Sequence, residues 1–206
     1  MDILAYYRNS DKKIIDYKSH IYCFSIVYIV KGLSKEAEAE QGGVAVSDQE
    51  FNRIVGQYAD IVYRVALSYT GAPQDAEDVV QTTFMKLLTG NREFRDEEHI
   101  RRWLIRVTVN ECNSLWSSFW RRNVEYSDVP ATEPEFSIEE RQDLYQAVMN
   151  LPAKCRIVVH LFYYEDYSSK EIAALLHMRE ATVRTRLVRA RKLLRQQLKE
   201  AWEDEE

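Results

Sequence analysis

Apolar residues recur along most of this chain with a helical period, and the polar breaks between these stretches are short. Strand-like alternation is scarce. Phe51, Ile54, Val55, Tyr58, Ile61, Val62, Val65 and Ala66 stand three and four apart, on one face of a helix. Ser47 and Glu50 begin that helix as a capping box and Gly71 ends it. Pro73 opens a second helix with Ala76, Val79, Val80, Phe84, Leu87 and Leu88 inside, closed by Gly90. A third segment, Phe94 to Arg122, is rich in tryptophan and arginine. Within it Ile100, Trp103, Leu104 and Val107 share a face, so Trp103 is expected in the core. Ser137 and Glu140 form another capping box, followed by Leu144, Val148 and Leu151. Pro152 then starts a helix with Ile157, Val158, Leu161 and Phe162 inside. The last pair is a short helix, with Ile172, Ala173, Leu175 and Leu176 apolar, and a long one buried along Val183, Leu187, Ala190 and Leu194. Ser168 and Glu171 cap the first of these, and His177 to Arg179 make the turn between them.

The pattern predicts an all-α fold of two helical domains, residues 47–122 and 137–200. The stretch 123–136 carries Pro130, Pro134 and four carboxylates without a basic residue, and reads as a flexible acidic linker. Residues 201–206 read as a solvated acidic tail. Residues 1–46 read differently from the rest. Their apolar run from Ile21 to Val30 is shorter than the about 20 residues a membrane helix needs, and no small-residue cleavage pattern follows it. They are expected to be an extension, flexible or non-native, with the working fold starting near Val44 or Val46.

Charge alters the picture at one end. The 206-residue chain has a net charge of -5, yet Ser168 to Arg195 holds eight basic and two acidic residues. A local excess of that kind in an acidic protein marks a surface for phosphates. A short capped helix, a tight turn and an arginine-rich helix form a helix-turn-helix, which lays its second helix in a DNA major groove. On that helix Arg184 and Arg186 are suited to guanine edges or phosphates, with Thr182 and Thr185 beside them. Arg189, further along, suits a phosphate, and Arg191 and Lys192 suit phosphate or solvent equally. Ser169 and Lys170 begin the supporting helix, where backbone amides can hold a phosphate. The three cysteines, Cys23, Cys112 and Cys155, are widely spaced and fit free thiols in a reducing compartment. No phosphate loop, nucleophile elbow or metal-ligand spacing occurs, so neither catalysis nor a metal or cofactor is expected.

Three stretches resemble the sigma-70 family of RNA polymerase factors, of the extracytoplasmic-function (ECF) type. Residues 75–84 are similar to region 2.2, residues 94–110 to regions 2.3 and 2.4, and residues 151–194 to region 4. The last includes the Ser-x-x-Glu-Ile-Ala run from Ser168 and the Thr-Val-Arg-Thr-Arg run from Thr182. The stretches occur in the family's order and spacing, over about residues 47–200. The resemblance implies a cytoplasmic specificity subunit without catalytic residues that directs promoter-specific initiation. Its implied partners are core RNA polymerase (the β′ clamp helices and β flap), promoter DNA and an anti-sigma factor, without membrane insertion. Asp75, Asp78, Gln81 and Phe84 would meet the polymerase. Phe94, Arg95, His99, Asn110, Arg121 and Arg122 would meet the −10 element, with residues 94–100 as a loop accepting a flipped base. Ser169, Lys170, Thr182, Arg184, Thr185, Arg186 and Arg189 would meet the −35 element.

The chain departs from the family pattern in places. Ser114 stands where an acidic residue is usual, and the run Leu115 to Trp120, with Trp116, Phe119 and Trp120, precedes the arginine pair Arg121 and Arg122. His177 replaces a turn glycine, and histidine tolerates positive φ better than a branched residue does. Arg179 replaces a good helix cap, at a cost of about 0.5–2 kcal/mol. Two other readings stay open from the residues alone. A stand-alone helix-turn-helix regulator would account for the C-terminal half but not for residues 75–84 or 94–122. An enzyme with an appended DNA-binding domain has no catalytic motif behind it.

Overall fold

A computed structural model describes residues 46–90, 92–122 and 139–203; side chains are described except at 116–122, 139–143 and 199–203. The described residues form helices α1 (Asp48–Thr70), α2 (Pro73–Thr89), α3 (Glu97–Arg122), α4 (Glu139–Met149), α5 (Ala153–Tyr163), α6 (Ser169–Leu175) and α7 (Glu180–Glu203), with no strand among them. They divide into two compact units, one built mainly on α1–α3 and the other on α4–α7. The expectations for residues 1–45, the linker, the Ser137 capping box and the end of the tail lie outside the described residues.

In the first unit the predicted face of α1 is the buried one, from Phe51 through Ala66. Ser47 caps α1 by accepting the Glu50 N–H at 3.3 Å. The Glu50 carboxylate turns to Arg53 instead of back to the cap, with contacts of 2.8 and 2.9 Å that hold its pKa below the usual carboxylate range. Gly71, at φ 78°, makes the corner into α2 without the steric penalty a side chain would meet. Gly90 ends α2, where a Cβ would come within 2.7 Å of the Lys86 carbonyl oxygen. Phe51 of α1 meets Phe84 of α2 edge to face, centroids 6.4 Å apart. The start of α3 is tied to α1 through Glu97, which accepts the Tyr58 hydroxyl at 2.6 Å and pairs with Arg53 at 2.8 Å. Further along, Glu111 of α3 pairs with Lys86 of α2 at 2.5 Å.

Residues 94–100 are a loop over only part of their length. Asp96 caps α3: its carboxylate accepts the His99 N–H at 2.7 Å and its carbonyl accepts the Ile100 N–H. Helix therefore begins at Glu97 and fixes His99 in the first turn. Trp103, expected in the core, is half-buried; Ile100, Leu104 and Ile105 fill that place.

In the second unit α7 packs against α4, α5 and α6. Val183, Leu187, Ala190, Leu194 and Leu198 form its buried edge, against Leu144, Ile157, Val158, Leu161 and Ile172 among others. Pro152 is the residue before α5, and its carbonyl accepts the first helical amides, from Cys155 at 2.7 Å and Arg156 at 3.0 Å. The capping box on α6 is complete. Ser168 accepts the Glu171 N–H at 3.3 Å, and Glu171 accepts the Ser168 N–H at 2.9 Å. α6 ends on His177 at φ 49°, with Met178 N–H donating to the Ala173 carbonyl at 3.0 Å. That bond is the long closure of a Schellman turn, with histidine in the place glycine usually takes. Arg179 offers its carbonyl to Thr182 and Val183; its side chain has no acceptor, so it supplies no cap. Cys112 and Cys155 are free and buried, and burial pushes the Cys112 thiol up to about 12, which keeps it protonated and unreactive at neutral pH.

Phe84 is fully buried. Phe84→Ala is expected to destabilise the first unit by about 3–5 kcal/mol, read as a fall in the midpoint of thermal or denaturant unfolding. A loss under 1 kcal/mol would contradict its place in the core.

Candidate nucleic-acid interface

The buried edge of α7 decides what its other face presents. With Val183, Leu187 and Ala190 turned inward, Arg184, Thr185, Val188, Arg189 and Lys192 are exposed. Thr182 and Arg186 are half-buried at the margin. Arg184 reaches back one turn to Glu180 at 2.6 Å, with the arginine side chain still 70% exposed. An exposed i,i+4 pair of this kind stabilises a helix by only about 0.3–0.5 kcal/mol. Its effect here is geometric: it aims the guanidinium along the helix surface. Thr185 is less available than its exposure suggests, because its hydroxyl donates to the Ala181 carbonyl at 2.8 Å. The Arg186 guanidinium lies 3.4 Å from the Met178 sulfur, which draws it over the turn. Arg191 donates to the Tyr163 hydroxyl at 2.9 Å and lies over that ring at 5.8 Å, so it braces α7 on α5.

Lys170 is exposed and Ser169 half-buried at the start of α6. The capping box occupies the Ser168 and Glu171 amides and sets the Glu171 carboxylate at this end. That negative charge opposes a phosphate there, which leaves the Lys170 ammonium as the better phosphate group.

In the first unit an aromatic cluster lies on the surface beside the start of α3. Phe94 meets His99 at 5.5 Å and Trp103 at 5.6 Å, both edge to face, and the Arg92 guanidinium lies 5.3 Å above the Trp103 ring. Arg95, Asp96, Glu98, His99 and Arg102 line an adjacent pocket of about 330 Å³. Arg102 is held by Glu98 at 2.7 Å, and the Arg95 N–H donates to His99 Nδ1 at 3.4 Å. Asn110 is exposed further along α3. The side chains of Arg121 and Arg122, with Trp116, Phe119 and Trp120, lie outside the described residues. On α2, Asp78 is exposed while Asp75 and Gln81 are half-buried. Glu77 has its pKa raised, first by burial and then by repulsion from Asp78. Phe84 does not join this surface. Among the described residues no cluster of His, Cys, Asp and Glu could hold a metal.

Two pieces of the chain match family models: residues 54–122 match "Sigma-70 region 2" and residues 141–194 match "Sigma-70, region 4". The chain is an ECF member of the sigma-70 family. It is 32% identical over 181 residues to the ECF RNA polymerase sigma factor SigE of Mycolicibacterium smegmatis, over 79% of this chain and 70% of that protein. It is 31% identical over 142 residues to the RNA polymerase sigma factor SigV of Bacillus subtilis, over 66% of this chain and 83% of that one. The sigma factor RpoE of Bartonella quintana, solved in complex with the anti-sigma factor NepR, has the same fold: TM-score 0.64, 24% identity, covering 73% of this chain and 98% of that one. As a sigma factor the chain is a specificity subunit, not a catalyst, and directs promoter-specific initiation by core RNA polymerase. No helix among its described residues is long and apolar enough to cross a membrane.

Several features of these surfaces escaped the sequence reading. The Glu180–Arg184 spacing was present in the sequence as an i,i+4 pair, and Asp96 was recognisable as a cap before an acidic first turn. The Arg92–Trp103 and Arg191–Tyr163 contacts depend on packing and have no sequence signal. Glu180→Gln is expected to free the Arg184 guanidinium for phosphates. The salt slope of non-specific DNA binding should then steepen by about 0.9, the effect of one further neutralised phosphate. An unchanged slope would show that Glu180 does not restrain Arg184.

Proposed function

We propose that the second unit of this sigma factor reads the −35 element as duplex DNA with α7, while the first unit holds the melted −10 strand and docks on the polymerase. The observation that carries the −35 assignment is the division of α7 into a packed apolar edge and an exposed cationic face, with Arg184 on that face near its start and Arg186 half-buried at its margin. A helix built this way can enter a major groove, whose base edges offer guanine O6 and N7 to arginine. Lys170 and Arg189 flank it as phosphate groups that set register.

The −10 assignment is supported by different chemistry. An unstacked base needs an aromatic platform and nearby cations. Phe94, His99 and Trp103, with Arg92 above and Arg95 beside, provide both next to the pocket at the start of α3. Asn110 supplies an amide for a base edge. For polymerase docking the surface of choice is the acidic outer side of α2, through Asp75, Asp78 and Gln81. The proposal takes residues 47–122 and 137–200 as the two functional domains, joined through 123–136. It also includes an anti-sigma partner, by extension from the NepR-bound relative, and action in the cytoplasm, where polymerase and DNA are.

Transcription reconstituted with core polymerase tests the −35 assignment. Arg184→Ala and Arg186→Ala are each expected to cost about 1–3 kcal/mol of promoter discrimination for a lost base contact. Unchanged promoter selection would remove α7 from that role. The paired change Asp78→Lys with Gln81→Lys is expected to lower co-purification with core polymerase while both units keep their helical circular dichroism. Undiminished co-purification would rule out α2 as the docking surface.

A further inference from the structure

Val188 is the large hydrophobic side chain that stands open to solvent among the described residues, 63% exposed. It lies in the N-terminal half of the 24-residue α7, one turn beyond Arg184 and three residues beyond Thr185, with Arg189 and Lys192 next to it and one turn on. Exposed Arg184, Thr185, Arg189 and Lys192 thus border an apolar knob on three sides. A solvated helix position gains nothing from a β-branched residue, which has lower helix propensity than the lysine or arginine around it. The cationic border indicates what covers the knob. A protein partner would need an apolar hole rimmed by carboxylates; the DNA major groove offers an apolar methyl between two rows of phosphates as a matter of course. Of the four base pairs only those containing thymine place a methyl group in that groove, and small apolar side chains contact it.

We propose that Val188 is a specificity-determining residue that packs on the 5-methyl group of a thymine in the −35 element, beside the base or phosphate taken by Arg184. The inference rests on the −35 reading of α7. It adds to that reading a preference for an A·T pair at one position, set by shape and not by a hydrogen bond.

The test uses holoenzyme reconstituted from the full chain and core polymerase, on a promoter selected by that holoenzyme. Each thymine of the −35 element, on either strand, is replaced in turn by deoxyuridine, which removes the methyl and keeps the base pair. At one position the wild-type holoenzyme should lose about fourfold in affinity, the value of one buried methyl-sized group. Val188→Ala should lose a similar factor on the unmodified promoter and show no further loss on the deoxyuridine promoter, the non-additivity expected of two groups in contact. The substitution is at an exposed site, and circular dichroism of the variant checks that α7 remains helical. Equal sensitivity of wild type and Val188→Ala to every deoxyuridine would overturn the proposal. So would a selected −35 element without an A·T pair, or a variant that binds the promoter normally but loses a protein partner. In those cases the −35 reading still stands if Arg184→Ala impairs promoter discrimination. A holoenzyme that binds a scrambled −35 element as well as the native one would instead overturn that reading itself.

Discussion

Packing of one edge of α7 against α4, α5 and α6 is the constraint on which the second unit depends. Val183, Leu187, Ala190, Leu194 and Leu198 are each at least 96% removed from solvent. Burying a valine or leucine side chain stabilises by about 1.5–3 kcal/mol. Turning the helix by half a revolution would forfeit several such terms and press arginines into an apolar cleft, where unpaired charges are costly. The hydrophobic term therefore fixes the rotation of α7 about its axis, and with it which side chains face outward. The charges follow from this orientation and do not create it.

Weaker interactions then refine the exposed surface. The Glu180–Arg184 pair, the Arg186–Met178 contact and the stacking of Arg191 on Tyr163 each add little to stability. Each narrows the directions a long cationic side chain can take, and so lowers the entropy lost when that side chain meets DNA. Arg191 is the clearest case: its position allows a phosphate contact, but Tyr163 already engages it as a brace. The turn before α7 follows the same economy. His177 takes a left-handed conformation that glycine would adopt more easily, and the Schellman bond from Met178 holds it there.

The two units present chemistry of different kinds. The α7 face is cationic around the apolar knob of Val188, suited to the regular edges and backbone of a duplex. The surface at the start of α3 is aromatic, with cations above and beside the rings, suited to bases out of their stack. In the first unit the position of that surface depends on Glu97, which ties the α3 start to Tyr58 and Arg53 of α1. The Tyr58 hydroxyl, raised in pKa mainly by burial and then by this carboxylate, stays protonated as the donor. A contact between α1 and the start of α3 thereby holds the first turn that carries His99.

Most of the helices could be read from apolar period alone. Phe51 to Ala66 and Val183 to Leu194 fall on one face each, because a helix that must bury a stripe advertises it every three or four residues. The capping residues Ser47 and Ser168 and the terminating Gly71 and Gly90 were equally plain, since their roles are local. The basic excess after Ser168, and the family it resembles, were also in the sequence. What the sequence could not assign was the partner of each long or aromatic side chain. Phe84 falls on the inward stripe of α2 by its period and on the docking surface by the resemblance; Phe51, 33 residues earlier, covers it and decides for the core. Trp103 has the register of a core residue, yet Phe94 and Arg92 meet it at the surface. Val188 lies off the apolar stripe of its helix, and the packed helices show how far it is left open, at 63% exposed. Periodicity and capping are properties of adjacent residues and are written in order along the chain. Contacts between distant residues are decided by how the helices pack, so they emerge only in the folded molecule.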